Sequence, residues 1–342
     1  MSIRRCLLAA ALLPAIAHAQ TTAEPLALAV AQDDGERARY PQWSQVLEAG
    51  SVDPVIDARL PPRQSRLGPG GAGPRLTVWA STVAARPGET VTLFATLTPT
   101  AAPDLFAAPA LTGARVTADL FGQRVGALGT VAYRDNGTGA DALARDGVYT
   151  ATVTLPTSPA LPLGAADSVL AKVTATLPND ERRQAAAGFQ LSRPTARLTG
   201  RYRDAVRNGN LAVAAEVEAL AAGRVHVSGT LADLAGAPFA TAEASQRVVA
   251  GVQWVELSFY GLAFHDRGIS GPVQLASITL ASTDSTPHAL GPVATLAHRT
   301  QPYALAQFTA RLFDDPGLLG AARRLRLDAL SPRPAAVASG SN

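Results

Sequence analysis

The residues best equipped for chemistry lie in one stretch, Arg134 to Thr150, which reads RDNGTGADALARDGVYT. Asp135, Asp141 and Asp146 supply three carboxylates there, Asn136 adds an amide oxygen, and glycines make the chain between them pliable. Hard oxygen ligands on a flexible loop are what calcium takes. The spacing departs from an EF-hand, whose acidic positions alternate closely and end in a bidentate glutamate. The other chemistry open to these residues is conformational. Asp and Asn side chains accept hydrogen bonds from nearby backbone amides, and glycine supplies positive φ. Turn-capping is the favoured of the two readings, because a secreted calcium module carries a denser acid cluster. The sequence therefore assigns no metal and no cofactor, and marks Asp135, Asn136, Asp141 and Asp146 as the loop where capping or calcium binding would be found.

Catalytic patterns are missing elsewhere. There is no G-x-S-x-G elbow, no H-E-x-x-H helix and no phosphate loop, and Gly268-Ile269-Ser270-Gly271 has the wrong glycine spacing for a nucleophile turn. Gly68 to Gly73 matches G-x-G-x-x-G, but Pro69 and Pro74 oppose the strand-turn-helix setting that a dinucleotide loop needs, so a linker is expected. His226, expected on the polar face of a strand, and His265, His288 and His298, expected in or beside loops, read as solvated side chains, as does the Asp314-Asp315 pair. A triad assembled across the chain would need a partner geometry that sequence does not give. Cys6 is the one cysteine and Lys172 the one lysine. That leaves little scope for a thiolate nucleophile, a thiolate-bound metal or a Schiff base.

The elements that must carry these residues are strands. In Thr90 to Leu97 one face collects Val91, Leu93, Ala95 and Leu97, while the other is mainly threonine. A period of two with one apolar face is what a sandwich strand requires. The same alternation recurs in Val116–Leu120, in Tyr149–Leu155, and in the strand around Lys172, whose ammonium is expected on the solvated face. A second set follows Arg193-Pro194: Val213–Val217, Val225–Leu231 and Val255–Phe259. Asp233-Leu234-Ala235-Gly236 reads as a hairpin turn. The phase slips between Leu275 and Ala276, which suggests a β-bulge. Tyr40 to Gly50 is expected as a short helix around Trp43 and Leu47.

These patterns predict an all-β protein with two immunoglobulin-like β-sandwich domains in tandem. The expected organisation is a signal peptide over 1–19, a Pro/Gly-rich segment and linker over 20–73, sandwiches over 74–192 and 193–315, and a tail over 316–342 that is disordered from Pro332. The signal reading rests on Arg4-Arg5, the apolar run Leu7–Ile16 and the small-residue site Ala17-His18-Ala19, which place the mature start at Gln20. The formal charge of +3 then loses two with Arg4 and Arg5, leaving +1. No clustered basic face offers itself to nucleic acid, and no apolar run is long enough for a membrane span.

Asp135, Gly137, Asp141, Ala144, Asp146, Gly147 and Tyr149 follow a D-x-G-x-x-x-D-x-x-A-x-D-G-x-Y pattern. It resembles the signature of bacterial extracytoplasmic immunoglobulin-like domains grouped as choice-of-anchor X and DUF4785. Val227–Asp233, Trp254–Gly261 and Gly268–Pro272 resemble the β-domain that follows in those proteins, so the resemblance spans roughly residues 74 to 315. It implies fold and export, and carries no settled activity. The expected function is that of an exported, periplasmic or extracellular, non-catalytic binding or structural module of the cell envelope or secretome, with a protein, glycan or envelope component as its partner. The alternative is a secreted hydrolase or the accessory domain of one.

Overall fold

The computed structural model describes residues 14–68, 73–99, 111–157 and 160–330, with side chains from Leu26 onward. The chain is all-β in its main body, with four sheets whose strands pair antiparallel except at one two-residue contact. The first sheet runs β2 (Gln64–Arg66), β3 (Arg75–Ala80), β5 (Thr90–Thr98), β8 (Val148–Thr154). Facing it are β4 (Ala84–Ala85), β10 (Arg182–Ser192), β9 (Ala166–Thr176), β6 (Arg115–Gly122) and β7 (Gly126–Ala132). Both sheets turn alternate residues into one core, where Val91, Leu93, Ala95 and Leu97 meet Val169, Ala171 and Val173, all essentially without solvent contact. Full burial of each large aliphatic side chain is worth about 1.5–3 kcal/mol. The threonines between them face outward, so the period of two in the sequence and the two sides of the sheet coincide.

The second pair is built alike. Strands β11 (Ala196–Arg207), β12 (Asn210–Ala219) and β15 (Gly251–Phe259) form one sheet. The other runs β1 (Ser44–Val46), β14 (Pro238–Val248), β13 (Gly223–Ala232), β16 (Gln274–Ser282), β17 (Ala289–Arg299). Their shared core is a separate cluster that includes Val213, Val227, Leu257, Phe259, Phe264 and Ile278. Asp233 closes the β13–β14 hairpin, its Oδ1 accepting from the amides of Ala235 and Ala237, each at 2.9 Å. The phase slip is a bulge at Ala276, where the ladders of β16 with β13 and with β17 both skip a residue.

The two clusters meet at a hydrogen-bonded junction. Ser282 Oγ accepts from the amide of Thr195 and shares a bond with its hydroxyl, both at 2.8 Å. Ser192 Oγ donates to the Leu290 carbonyl at 2.9 Å and Ser285 Oγ to that of Gly164 at 2.8 Å. Ala165 and His288 form an isolated bridge.

The stretch expected as linker differs from that expectation over residues 38–66. Tyr40 is 2% exposed, packs edge-on against Tyr260 with ring centroids 6.3 Å apart, and donates from its hydroxyl to Asp266 Oδ2 at 2.5 Å. Arg39 holds both oxygens of the same carboxylate. No helix forms around Trp43. Residues 44–46 instead add β1 to the edge of β14, and Trp43 meets Phe313 edge-on at 5.2 Å. A four-residue helix, α2 (Pro54–Asp57), follows. The aromatic partners that hold this segment lie more than 200 residues away, so no local pattern announces them. Within the expected tail, α3 (Pro316–Leu330) lies against α1 (Pro14–Arg37), which runs through the expected cleavage point. The expected signal core before Pro14, the centre of the Gly/Pro stretch and the end from Ser331 lie outside the described residues.

Candidate functional site

The acidic loop joins β7 to β8 and is pinned at its first turn by paired backbone bonds between Arg134 and Thr150, each 2.8 Å. Gly137, Gly139, Arg145 and Gly147 all take positive φ, so the chain doubles back on itself within a dozen residues. Gly137 has no room for a side chain, because a Cβ there would come within 2.9 Å of the Ala144 amide nitrogen.

That folding draws the three carboxylates together: one oxygen each from Asp135, Asp141 and Asp146 lies within 4.8 Å of the others. Asp141 is 3% exposed, and its Oδ2 accepts from the amides of Asn136 at 2.5 Å and Gly137 at 2.6 Å. Asp146 Oδ1 accepts from the Val148 amide at 2.8 Å, and Asp135 Oδ2 from that of Gly147 at 3.3 Å. Asn136 turns its amide oxygen onto the hydroxyl and amide of Thr138, at 2.7 and 3.2 Å. Each of the four residues thus caps a turn. One carboxylate oxygen, Asp135 Oδ1, is buried without a hydrogen-bond partner. Calcium takes six to eight oxygens. The three side chains could each offer it one atom, with water left to supply the rest.

Tyr149, which ends the motif, is a structural tyrosine. Its hydroxyl accepts from the Ala114 amide at 2.9 Å and donates to the Leu111 carbonyl at 3.2 Å, tying β8 to the entry of β6. Burial raises its pKa, the nearby Asp135 charge adds to that, and the Ala114 amide opposes both.

His226, His265, His288 and His298 fall in four places. His265 Nε2 donates to the Phe308 carbonyl at 3.0 Å, and His288 Nδ1 to that of Ser285 at 2.8 Å. His298 Nε2 donates to Asp204 Oδ1 at 2.6 Å. Asp204, its side chain 4% exposed, also accepts from the Gln301 amide at 3.0 Å and the Tyr303 hydroxyl at 2.8 Å. Burial alone would raise that carboxyl's pKa, but the amide, imidazole and phenol outweigh it and hold it below the usual value. Tyr303 is pushed up to about 12, by burial first and then by its bond to this carboxylate.

His226 has the company that sequence reading missed. Its Nδ1 lies 3.0 Å from Ser245 Oγ and its Nε2 3.0 Å from Ser228 Oγ, with Glu243 Oε2 3.7 Å from Nε2. The four side chains form a cross-strand square, since His226 pairs with Ser245 and Ser228 with Glu243 in the β13–β14 ladder. In a catalytic triad the acid holds one imidazole nitrogen and the nucleophile the other. Here both nitrogens face serines, and Glu243 stands beyond hydrogen-bond distance of Nε2, the nitrogen that Ser228 occupies. The square floors a cavity of about 780 Å³, roofed by Leu47, Pro54, Val55, Ala58 and Arg59.

No family profile matches the sequence, and no curated protein matches it. Solved structures do. A Yersinia pseudotuberculosis adhesin is 17% identical over 67% of this chain and 61% of its own, with a TM-score of 0.23. The major pilin subunit of Bacillus cereus is 12% identical over 70% of this chain and 65% of its own, with a TM-score of 0.19. A DUF4785 family protein from Legionella pneumophila is 15% identical over 69% of this chain, with a TM-score of 0.43. The match spans 58% of that protein's length.

Proposed function

We propose that the chain is an exported, non-catalytic binding or structural module of the cell envelope or secretome, made of two independently packed β-sandwiches. The observation that supports this most is the engagement of the reactive groups. His226, His265, His288 and His298 are hydrogen-bonded in the fold, and none has a serine within hydrogen-bond distance of one nitrogen and a carboxylate within that distance of the other, Glu243 standing 3.7 Å from His226 Nε2. Rigid sandwiches with loops at their ends are scaffolds for recognition. Export rests on the basic start, apolar run and Ala17-His18-Ala19 site. Among the described residues no helix is long and apolar enough to cross a membrane.

The specific observation favouring a hydrolase is His226 between two serines. A fluorophosphonate probe tests it, because only an activated serine is acylated or phosphonylated quickly. The expected result is no labelling above that of heat-denatured protein. Stoichiometric labelling of Ser228 or Ser245, lost in His226→Ala, would overturn the non-catalytic reading. Intact mass of the chain exported from a bacterial host should begin at Gln20, and retention of residues 1–19 would refute the signal assignment.

A further inference from the structure

The outward face of the β1-β14-β13-β16-β17 sheet is covered at one end and open at the other. At the covered end, Asp53 caps α2 by accepting from the Val55 and Ile56 amides at 2.9 and 3.4 Å, and its Oδ1 takes the Thr230 hydroxyl at 2.8 Å. This fixes the short helix over the sheet. Between the sheet and the segment formed by α2 and the two residues after it lies the 780 Å³ cavity. That volume lies in the range of small-molecule sites, about 300–1,000 Å³.

Arg59 reaches into this space. Its Nη2 donates to Thr279 Oγ1 at 2.9 Å, and among the described residues no carboxylate pairs with it. A guanidinium carries five donors and no acceptor, and is almost always charged. Holding one in a partly buried place without a counter-charge is costly, and burial does lower the pKa of Arg59. Around it the walls divide by chemistry. Leu47, Val55 and Leu290 are apolar, whereas the floor presents His226, Ser228, Ser245 and Glu243, the last with its carboxylate more than half exposed.

We propose that this cavity binds a small amphipathic anion, whose carboxylate or phosphate head pairs with Arg59 and whose apolar body lies against Leu47, Val55 and Leu290. The head completes the pairing that the fold leaves undone, and the body covers the apolar wall that α2 and its neighbours present to the cavity. His226, Ser228 and Ser245 supply further hydrogen bonds on the head's side of the floor. The proposal requires neither export nor the absence of catalysis, so its failure and the failure of that functional reading are separable.

Calorimetric titration of the full chain with decanoate, decyl phosphate and decanol tests it. The expected result is saturable one-to-one binding of at least one of the two anions, weakened tenfold or more in Arg59→Gln and partly restored in Arg59→Lys. Decanol should bind no better than the anions bind Arg59→Gln. Preference between the two anions identifies the head group, and either preference supports the site. Ser228→Leu, which fills the floor opposite Thr279, should abolish binding while the far-UV spectrum of the folded chain is kept. Binding of neither anion, or equal binding of decanol and the anions to parent and Arg59→Gln, would overturn the proposal.

Discussion

Replacing Asp141 by alanine separates the two chemistries open to the acidic loop. In the fold its Oδ2 takes two backbone amides, those of Asn136 and Gly137, while the side chain is almost wholly buried. A hydrogen bond to a charged acceptor contributes about 1.5–3 kcal/mol, so two would sum to about 3–6 kcal/mol. Asn136 and Gly137 are themselves exposed, which lets water reach their amides after the truncation and places the expected loss near the lower end, about 3 kcal/mol. Urea unfolding read from Trp79, in a background with Trp43 and Trp254 replaced by phenylalanine, reports the first sandwich alone.

If the carboxylates only cap turns, the loss is the same in chelator and in millimolar calcium, and the parent's midpoint does not move with calcium. A bound ion would instead stabilise the parent in proportion to occupancy, and Asp135→Asn would remove that response while still accepting from Gly147. We expect no calcium response. A loss under about 1 kcal/mol for Asp141→Ala would refute the capping argument. A loss seen only with calcium present would show that the carboxylate's task is to hold the ion.

Other expectations follow from single contacts. Tyr149→Phe leaves the Ala114 amide without its acceptor and should cost the first sandwich about 1–2 kcal/mol in the same urea assay. Gly137→Ala combines a positive φ with a 2.9 Å approach to backbone and should cost about 1–3 kcal/mol, measured likewise. Asp204 has a lowered pKa in the fold, so its contribution is present above the unfolded carboxyl's value and is lost as pH falls through the lower folded one. Acid titration below pH about 4 should therefore destabilise the parent more steeply than Asp204→Asn. Tyr40→Phe combined with Arg39→Ala removes the anchors on Asp266, and limited proteolysis should then cut residues 38–66, which the parent protects.

The strands were legible because their signal is local. Val91, Leu93, Ala95 and Leu97 alternate with threonine in the sequence, and the pleat puts alternate residues on opposite faces whatever their neighbours are. The Asp233–Gly236 hairpin and the Ala276 bulge were legible for the same reason, since a turn residue or a slip of phase acts within a few positions. The segment around Tyr40 was not. Its burial depends on Tyr260, Asp266 and Phe313, and Pro and Gly nearby give it the composition of a linker. Local composition reports the cost of ordering a chain, whereas distant partners supply what offsets that cost.

The site divides along the same line. Asp135, Asn136, Asp141 and Asp146 sit within twelve residues, so glycines at positive φ suffice to bring them together and the sequence could name them all. The cavity beside Arg59 draws on α2, on β13 and β14 across a hairpin, and on β16 and β17. Part of it was nonetheless written in the strands: His226 and Ser228 are two apart, as are Glu243 and Ser245, and the Asp233–Gly236 turn sets the register that faces one pair with the other. What no pattern could show is Arg59. Its position depends on a four-residue helix held by Asp53 against Thr230, a contact across 177 residues, and only that placement turns a polar sheet face into a walled site with an unpaired cation.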